Sequence, residues 1–160
     1  MGAHTLPHST IFCFQATPSP SEPPFVHHLG RSIPTTYRAF EYVEHSATRD
    51  KLILNNATPQ EPLASTQVCI QVHSASDNPA DWKVLEWSGA LFGLPLPTKE
   101  KPFGIGFDAA GVIVEVEADA KTLKVGDEVY IMTPFNKFGS IREYLTAEEK
   151  SVAPKPANIS

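Results

Sequence analysis

From Tyr37 onward, apolar and polar residues alternate in short runs separated by turn-forming residues, a period-two pattern that predicts a β-rich domain. Tyr37 to Val43 alternates and predicts a first strand. Lys51 to Asn55 predicts a second, with Leu52 and Leu54 on one face, and a proline-containing link from Thr58 to Ala64 follows. Gln67 to Ser74 is the clearest strand: Val68, Ile70 and Val72 point one way, Gln71 and His73 the other. After Asn78-Pro79, the segment Ala80 to Trp87 has helical spacing that brings Trp82, Leu85 and Trp87 toward one side, and Gly89 stops it. Ala90 to Phe107 carries Gly93, Pro95, Pro97, Pro102, Gly104 and Gly106, too many breakers for regular structure. Ala110 to Glu117 predicts a long strand in which Val112, Val114 and Val116 face away from Ile113 and Glu115. Val125-Gly126-Asp127 predicts a tight turn into the strand Glu128 to Met132. Ile141 to Thr146 and Val152 to Pro156 complete the pattern.

Residues 1–36 follow different physics. They contain one acid (Glu22), one base (Arg31), four histidines (His4, His8, His27 and His28) and six prolines, so they offer little to bury and few backbone donors for a ladder. The expectation is a disordered tail at 1–36 and one folded domain at 37–160. The shortage of acids and the abundance of Ser and Thr also fit an organelle-targeting leader, although the arginines are few for a transit peptide. The scattered histidines lack the fixed spacing of a metal site.

The chain of 160 residues is 41% hydrophobic, enough for one real core. Its net charge of −5 provides no basic field for nucleic acid or an anionic membrane, and both are excluded as expected partners. No apolar run approaches the roughly 18 to 20 residues of a membrane span. The two cysteines, Cys13 and Cys69, are far apart, so neither a disulfide framework nor a cysteine-rich zinc knot can be drawn, which fits a reducing, cytoplasmic setting.

Four stretches, in order, carry a resemblance. Val72-His73-Ser74-Ala75-Ser76-Asp77-Asn78-Pro79-Ala80-Asp81-Trp82-Lys83 is similar to a strand followed by Asn-Pro-x-Asp. Gly106-Phe107-Asp108-Ala109-Ala110-Gly111-Val112-Ile113 is similar to Gly-x-Asp-x-Ala-Gly-x-Val. Leu123 to Tyr130 is similar to a Val-Gly-Asp turn into a barrel strand, and Gly139 to Ser160 to a Gly-x-x-x-Glu-Tyr strand with a Lys-Pro-x-x-Ile-Ser ending. Together they resemble the amino-terminal domain of medium-chain dehydrogenases/reductases, in the zinc-independent quinone-oxidoreductase branch. The resemblance implies a mainly β, GroES-like barrel with one or two short helices, lacking the Rossmann domain that follows it in the family. Gly111 within a β-branched run and Gly126 in a tight turn fit such a barrel independently.

The resemblance also bears on chemistry. Zinc alcohol dehydrogenases of this fold place Cys before the short helix and a His-Glu pair after the long loop; Asn78 and Phe107-Asp108 stand at those positions, so no zinc is expected. Without a Lewis acid, the implied chemistry is NADPH-dependent reduction of an electron-poor acceptor, a quinone or an α,β-unsaturated carbonyl. Candidate cofactor- or substrate-binding residues are Asn78, Pro79, Asp81, Trp82, Phe107, Asp108 and Tyr130. Asn78 could hydrogen-bond nicotinamide, its ribose or a substrate carbonyl, or cap the helix, with Pro79 at its first position. Asp81 suits the first helical turn, and Asp108 suits loop amides or, less readily, a general acid. Trp82 and Trp87 fit core or cleft wall, Phe107 an apolar pocket or the barrel end, and Tyr130 a proton donor or core.

Gly104-Ile105-Gly106-Phe107-Asp108-Ala109 matches the dinucleotide fingerprint G-x-G-x-x-A, but Lys101-Pro102-Phe103 precedes it and a period-two run follows, where the fingerprint needs a strand and then a helix. No phosphate loop is expected, and NADPH binding by this chain alone should be negligible. Three readings stay open: a fragment or truncated product of a reductase, a binding or scaffolding barrel, and a subunit completed by a second polypeptide, with homodimerisation open for a full-length form.

Overall fold

A computed structural model of the protein describes residues 33–46, 49–86, 93, 95–137 and 139–159. Two antiparallel sheets form it. The smaller contains β1 (Thr36–Tyr42), β2 (Ile53–Pro59) and β4 (Phe103–Gly104) in the order β2-β1-β4. The larger contains β3 (Gln67–Ser76), β5 (Asp108–Val116), β6 (Glu128–Met132), β7 (Tyr144–Glu148) and β8 (Val152–Pro154) in the order β7-β3-β5-β6-β8. One helix, α1 (Pro79–Glu86), leaves β3, and short 3-10 turns occupy Arg49–Lys51 and Glu149–Ser151. The sheets are joined where Ala39 bridges Arg142 and Phe40 N–H donates to the Ile141 carbonyl at 3.1 Å. Beside that joint the Arg38 guanidinium donates through Nε to Glu143 at 2.8 Å.

The core lies on one face of the five-stranded sheet. Val68, Ile70 and Val72 of β3 pack with Ala109 and Ile113 of β5, Val129 and Ile131 of β6 and Leu145 of β7. Gly111 allows β3 and β5 to approach: a Cβ there would lie 2.0 Å from the Gln71 carbonyl oxygen. Register shifts at Cys69/Ile70 and Val72/Ser74 break the alternation, so Cys69 is buried beside both its neighbours and Val116 packs against the core as Ile113 does. A second cluster, Tyr42, Leu85 and Ile105, seats α1 against the smaller sheet.

Several boundaries differ from the sequence pattern. The second strand starts at Ile53 and absorbs Thr58 from the expected link, while Arg49–Lys51 form a 3-10 turn. Among the described residues β2 is an edge strand, and Ile53 and Leu54 are both exposed, so Leu54 shares no buried face with Leu52. The expected irregular loop yields β4, whose Phe103 and Gly104 pair with Tyr42 and Glu41. The strand expected from Ile141 begins at Tyr144, because Ile141 and Glu143 donate their N–H groups to Ile105 and Arg38. On α1 the buried side chains are Asp81, Val84 and Leu85, and Trp82 turns outward, 39% exposed. The single described α-helix agrees with a mainly β, GroES-like architecture. The expected tail at 1–36 lies outside the described residues up to residue 32, as do Trp87 and Gly89.

Candidate functional site

The turn between β3 and α1 fixes Asn78 with three interactions. Its Oδ1 accepts the Ala80 N–H at 2.9 Å and its carbonyl accepts the Asp81 N–H at 3.0 Å. Its own N–H donates to Asp81 Oδ2 at 2.6 Å. This is a reciprocal cap of the capping-box kind, with Pro79 at the first helical position, where its missing N–H costs nothing. The cap leaves the Asn78 amide nitrogen turned away from the helix, and Nδ2 donates to Asp108 Oδ2 at 2.9 Å.

Asp108 opens β5 and is itself positioned by a second crossing. Gly106 adopts φ +99°, and a Cβ there would lie 2.5 Å from Ser140 Oγ, so the 104–108 loop can pass tightly against 139–142. Gly139 and Ser140 donate their N–H groups to the Gly106 carbonyl at 2.8 and 3.0 Å, and the fully buried Ser140 hydroxyl donates to the Asp108 carbonyl at 3.0 Å. In register, Asp108 stands between Ser76 of β3 and Met132 of β6.

Asp81 is 1% exposed, and its Oδ1 has no partner among the described residues. Burial pushes its carboxyl up to about 6, the Asn78 N–H opposes the shift, and the charges of Asp77 and Asp108 add to it. The structure therefore brings Asn78, Pro79, Asp81 and Asp108 together. It does not bring the other candidates into that group. Trp82 faces outward with Lys83 Nζ 5.7 Å from its ring centre. Phe107 is buried, its ring centre 4.8 Å from that of Phe135 and its carbonyl accepting the Thr133 N–H at 2.7 Å. Tyr130 is 47% exposed on the non-core face of β6, opposite Ala110 and Ala153, so the core placement fails: β6 alternates with Val129 and Ile131 inward. Sequence reasoning missed Ser140; the Gly139 that opens the Gly-x-x-x-Glu-Tyr stretch was its available signal.

Among the described residues no three His, Cys, Asp or Glu side chains converge as a metal would require. Gly104 to Ala109 runs from β4 through a loop into β5, with no helix following, so it is no pyrophosphate loop. No helix among the described residues is long and apolar enough to cross a membrane.

Residues 64–157 match the family model "Alcohol dehydrogenase GroES-like domain". The chain is 36% identical over 135 residues to the 2-methylene-furan-3-one reductase of Solanum lycopersicum, covering 81% of this chain and 33% of that protein. It is 37% identical over 134 residues to the chloroplastic NADPH-dependent alkenal/one oxidoreductase of Arabidopsis thaliana, covering 80% and 33%. Among solved structures, the quinone oxidoreductase from Coxiella burnetii superposes with a TM-score of 0.66 at 27% identity, over 78% of this chain and 38% of that one. The chain thus spans about a third of the length of the curated relatives it matches. It belongs to the alcohol dehydrogenase GroES-like domain family of the medium-chain dehydrogenase/reductase superfamily, and the relatives that it matches include quinone and alkenal oxidoreductases.

Proposed function

We propose that this chain is the catalytic-side domain of an NADPH-dependent reductase of quinones or α,β-unsaturated carbonyls that works without zinc. The observation that carries the reading is the Asn78–Asp108 hydrogen bond, which joins an amide and a carboxylate; by the family resemblance these residues stand where zinc relatives use Cys and His-Glu. An amide held between a helix cap and a carboxylate is a hydrogen-bonding element, and it supplies no thiolate or imidazole for zinc. Electron-poor acceptors need little activation from the protein, which suits a site of this kind.

The dinucleotide fits this chain at one end only. Asn78 and Asp108 can bind a polar group of nicotinamide, whereas the glycine-rich helix start that takes a pyrophosphate has no counterpart among the described residues. The bound cofactor supplies the hydride; this chain's residues position its reactive end and wall the acceptor. Activity therefore requires a dinucleotide-binding domain from the same or another polypeptide. The chloroplastic relative supports an organelle address for the protein alongside the cytoplasmic one.

The test is a chimera in which residues 33–160 replace the corresponding third of the Solanum lycopersicum reductase. NADPH-dependent consumption of quinones or enones is expected, with no stoichiometric zinc in the active protein. A folded chimera that binds NADPH and reduces neither class would overturn the reading.

A further inference from the structure

The far end of β5 builds a second concave surface. Pairing with β3 steps from Cys69 opposite Glu115 to Ile70 opposite Ile113, so Val114 is an extra residue bulged out of that ladder. With Glu115 and Glu117 it lines a cavity of about 610 Å³, whose remaining lining comes from Ile33 to Thr35 and from the link after β2, Gln60 to Leu63. Hydrogen bonds hold these segments in place. The Gln60 N–H donates to the Thr35 carbonyl at 2.9 Å, and its side-chain Nε2 donates to Thr146 of β7 at 3.4 Å. The Glu117 N–H donates to the Gln67 carbonyl at 3.1 Å. Pro34 and Pro62 fix φ in the two covering segments, which leaves the backbone little freedom to close the space. Asp108 and Glu115 lie near opposite ends of β5, about 23 Å apart at the rise of a strand, so the cavity is separate from the Asn78–Asp108 pair.

The lining carries charge of one sign. Glu61, Glu115 and Glu117 contribute three carboxylates, and no Lys, Arg or His contributes. Among the described residues none of the three takes part in an ion pair. Ile33, Pro34, Pro62, Leu63 and Val114 supply apolar surface beside them. No three acidic side chains among the described residues converge as a metal would require, so the carboxylates act as a field over an apolar bed. A cavity of several hundred Å³ that combines apolar surface with a few charged groups has the form of a small-molecule site. The ligand that gains most from it buries an apolar body and brings a positive charge to the rim. A neutral ligand leaves the carboxylates unanswered, and an anion is repelled.

We propose that this cavity binds a small organic cation, an ammonium or guanidinium carried on an aromatic or aliphatic body. The site uses no residue of the Asn78–Asp108 pair, so it stands or falls independently of the reductase reading.

The 160-residue chain, labelled with nitrogen-15, is titrated by NMR with phenethylamine, 2-phenylethanol and 3-phenylpropanoate, following the N–H groups of Leu63, Val114 and Glu115. Phenethylamine is expected to move them with an affinity on the order of a millimolar. The alcohol keeps the ring without the charge and should bind about fivefold more weakly, and the carboxylate should leave the three resonances unmoved. Raising the ionic strength from about 0.05 to about 0.5 M should narrow the gap between amine and alcohol. The Glu115→Gln, Glu117→Gln double variant should remove most of the amine's preference while the ring still binds; if it fails to fold, the salt series on the unaltered chain decides. Equal responses to amine and alcohol, no response to the amine, or amine shifts spread over surface carboxylates elsewhere overturn the assignment. Arg31, two residues before Ile33 in the sequence, is the alternative cation. An amine affinity that rises severalfold in Arg31→Ala would make the chain's own guanidinium the occupant and overturn the small-molecule assignment.

Discussion

The Asn78 amide nitrogen donates to Asp108 at 2.9 Å across 30 residues of sequence, tying the start of α1 to the start of β5. Because the same side chain caps the helix, removing it should cost both interactions. Asn78→Ala should lower stability by about 1–2 kcal/mol. A fall in the thermal midpoint of several degrees by calorimetry is the expected readout; an unchanged midpoint would show the cap to be dispensable.

Asp81 sets a pH dependence of known sign. Its folded carboxyl titrates near 6, above the ordinary range, so between about pH 4 and 6 the folded chain binds more protons than the unfolded one. Stability contributed by protonated Asp81 is complete below pH 4 and is lost as pH rises through 6, by something of the order of 2 kcal/mol. Asp81→Asn should flatten that part of the profile. Denaturant melts at pH 4.5 and 7 for both proteins check it, and an unaltered slope would assign the dependence to other groups.

Glu149 behaves oppositely. It accepts the N–H groups of Leu123, Lys121 and Thr122, which hold its carboxyl down at about 2, with the Leu123 bond foremost. Its contribution is present above the ordinary carboxylate range and is lost as pH falls toward 2. Glu149→Gln should destabilise the chain at neutral pH and make the difference from wild type vanish in acid. Faster hydrogen exchange at residues 121–123 in the variant is the local check.

Gly111 is the position least tolerant of a side chain. A methyl group 2.0 Å from the Gln71 carbonyl forces β3 and β5 apart in the middle of the core sheet. Gly111→Ala should destabilise by about 3 kcal/mol or more. Gly126, where an added Cβ meets nothing within 4 Å, gives the contrast: it has φ +94°, so Gly126→Ala costs only backbone strain, about 1 kcal/mol. Equal losses at the two sites would contradict the packing argument.

The isolated chain should bind NADPH negligibly, since one or two hydrogen bonds at the nicotinamide end, each about 0.5–1.5 kcal/mol, cannot offset the several kcal/mol of immobilising a dinucleotide. Calorimetric titration is the measurement. Micromolar affinity would mean that the chain builds a phosphate site of its own.

The sequence by itself determined the mainly β character, the strand from Gln67, expected to end at Ser74 and running on to Ser76, the strand Glu128–Met132, the turn at Gly126 and the helix start at Asn78-Pro79, because period-two alternation and capping are local properties of neighbouring residues. It also put forward Asn78, Asp81 and Asp108 as candidates, and the fold brings these three together. Only the tertiary structure decided the rest. The pairing of Phe103-Gly104 with β1, the outward turn of Trp82 and the exposure of Tyr130 depend on which element packs against which. The bulges that bury Cys69 shift register in a way that no single strand records. Ser140 acquires its role from a crossing of two loops more than thirty residues apart, and that contact exists only after the sheet has closed around it.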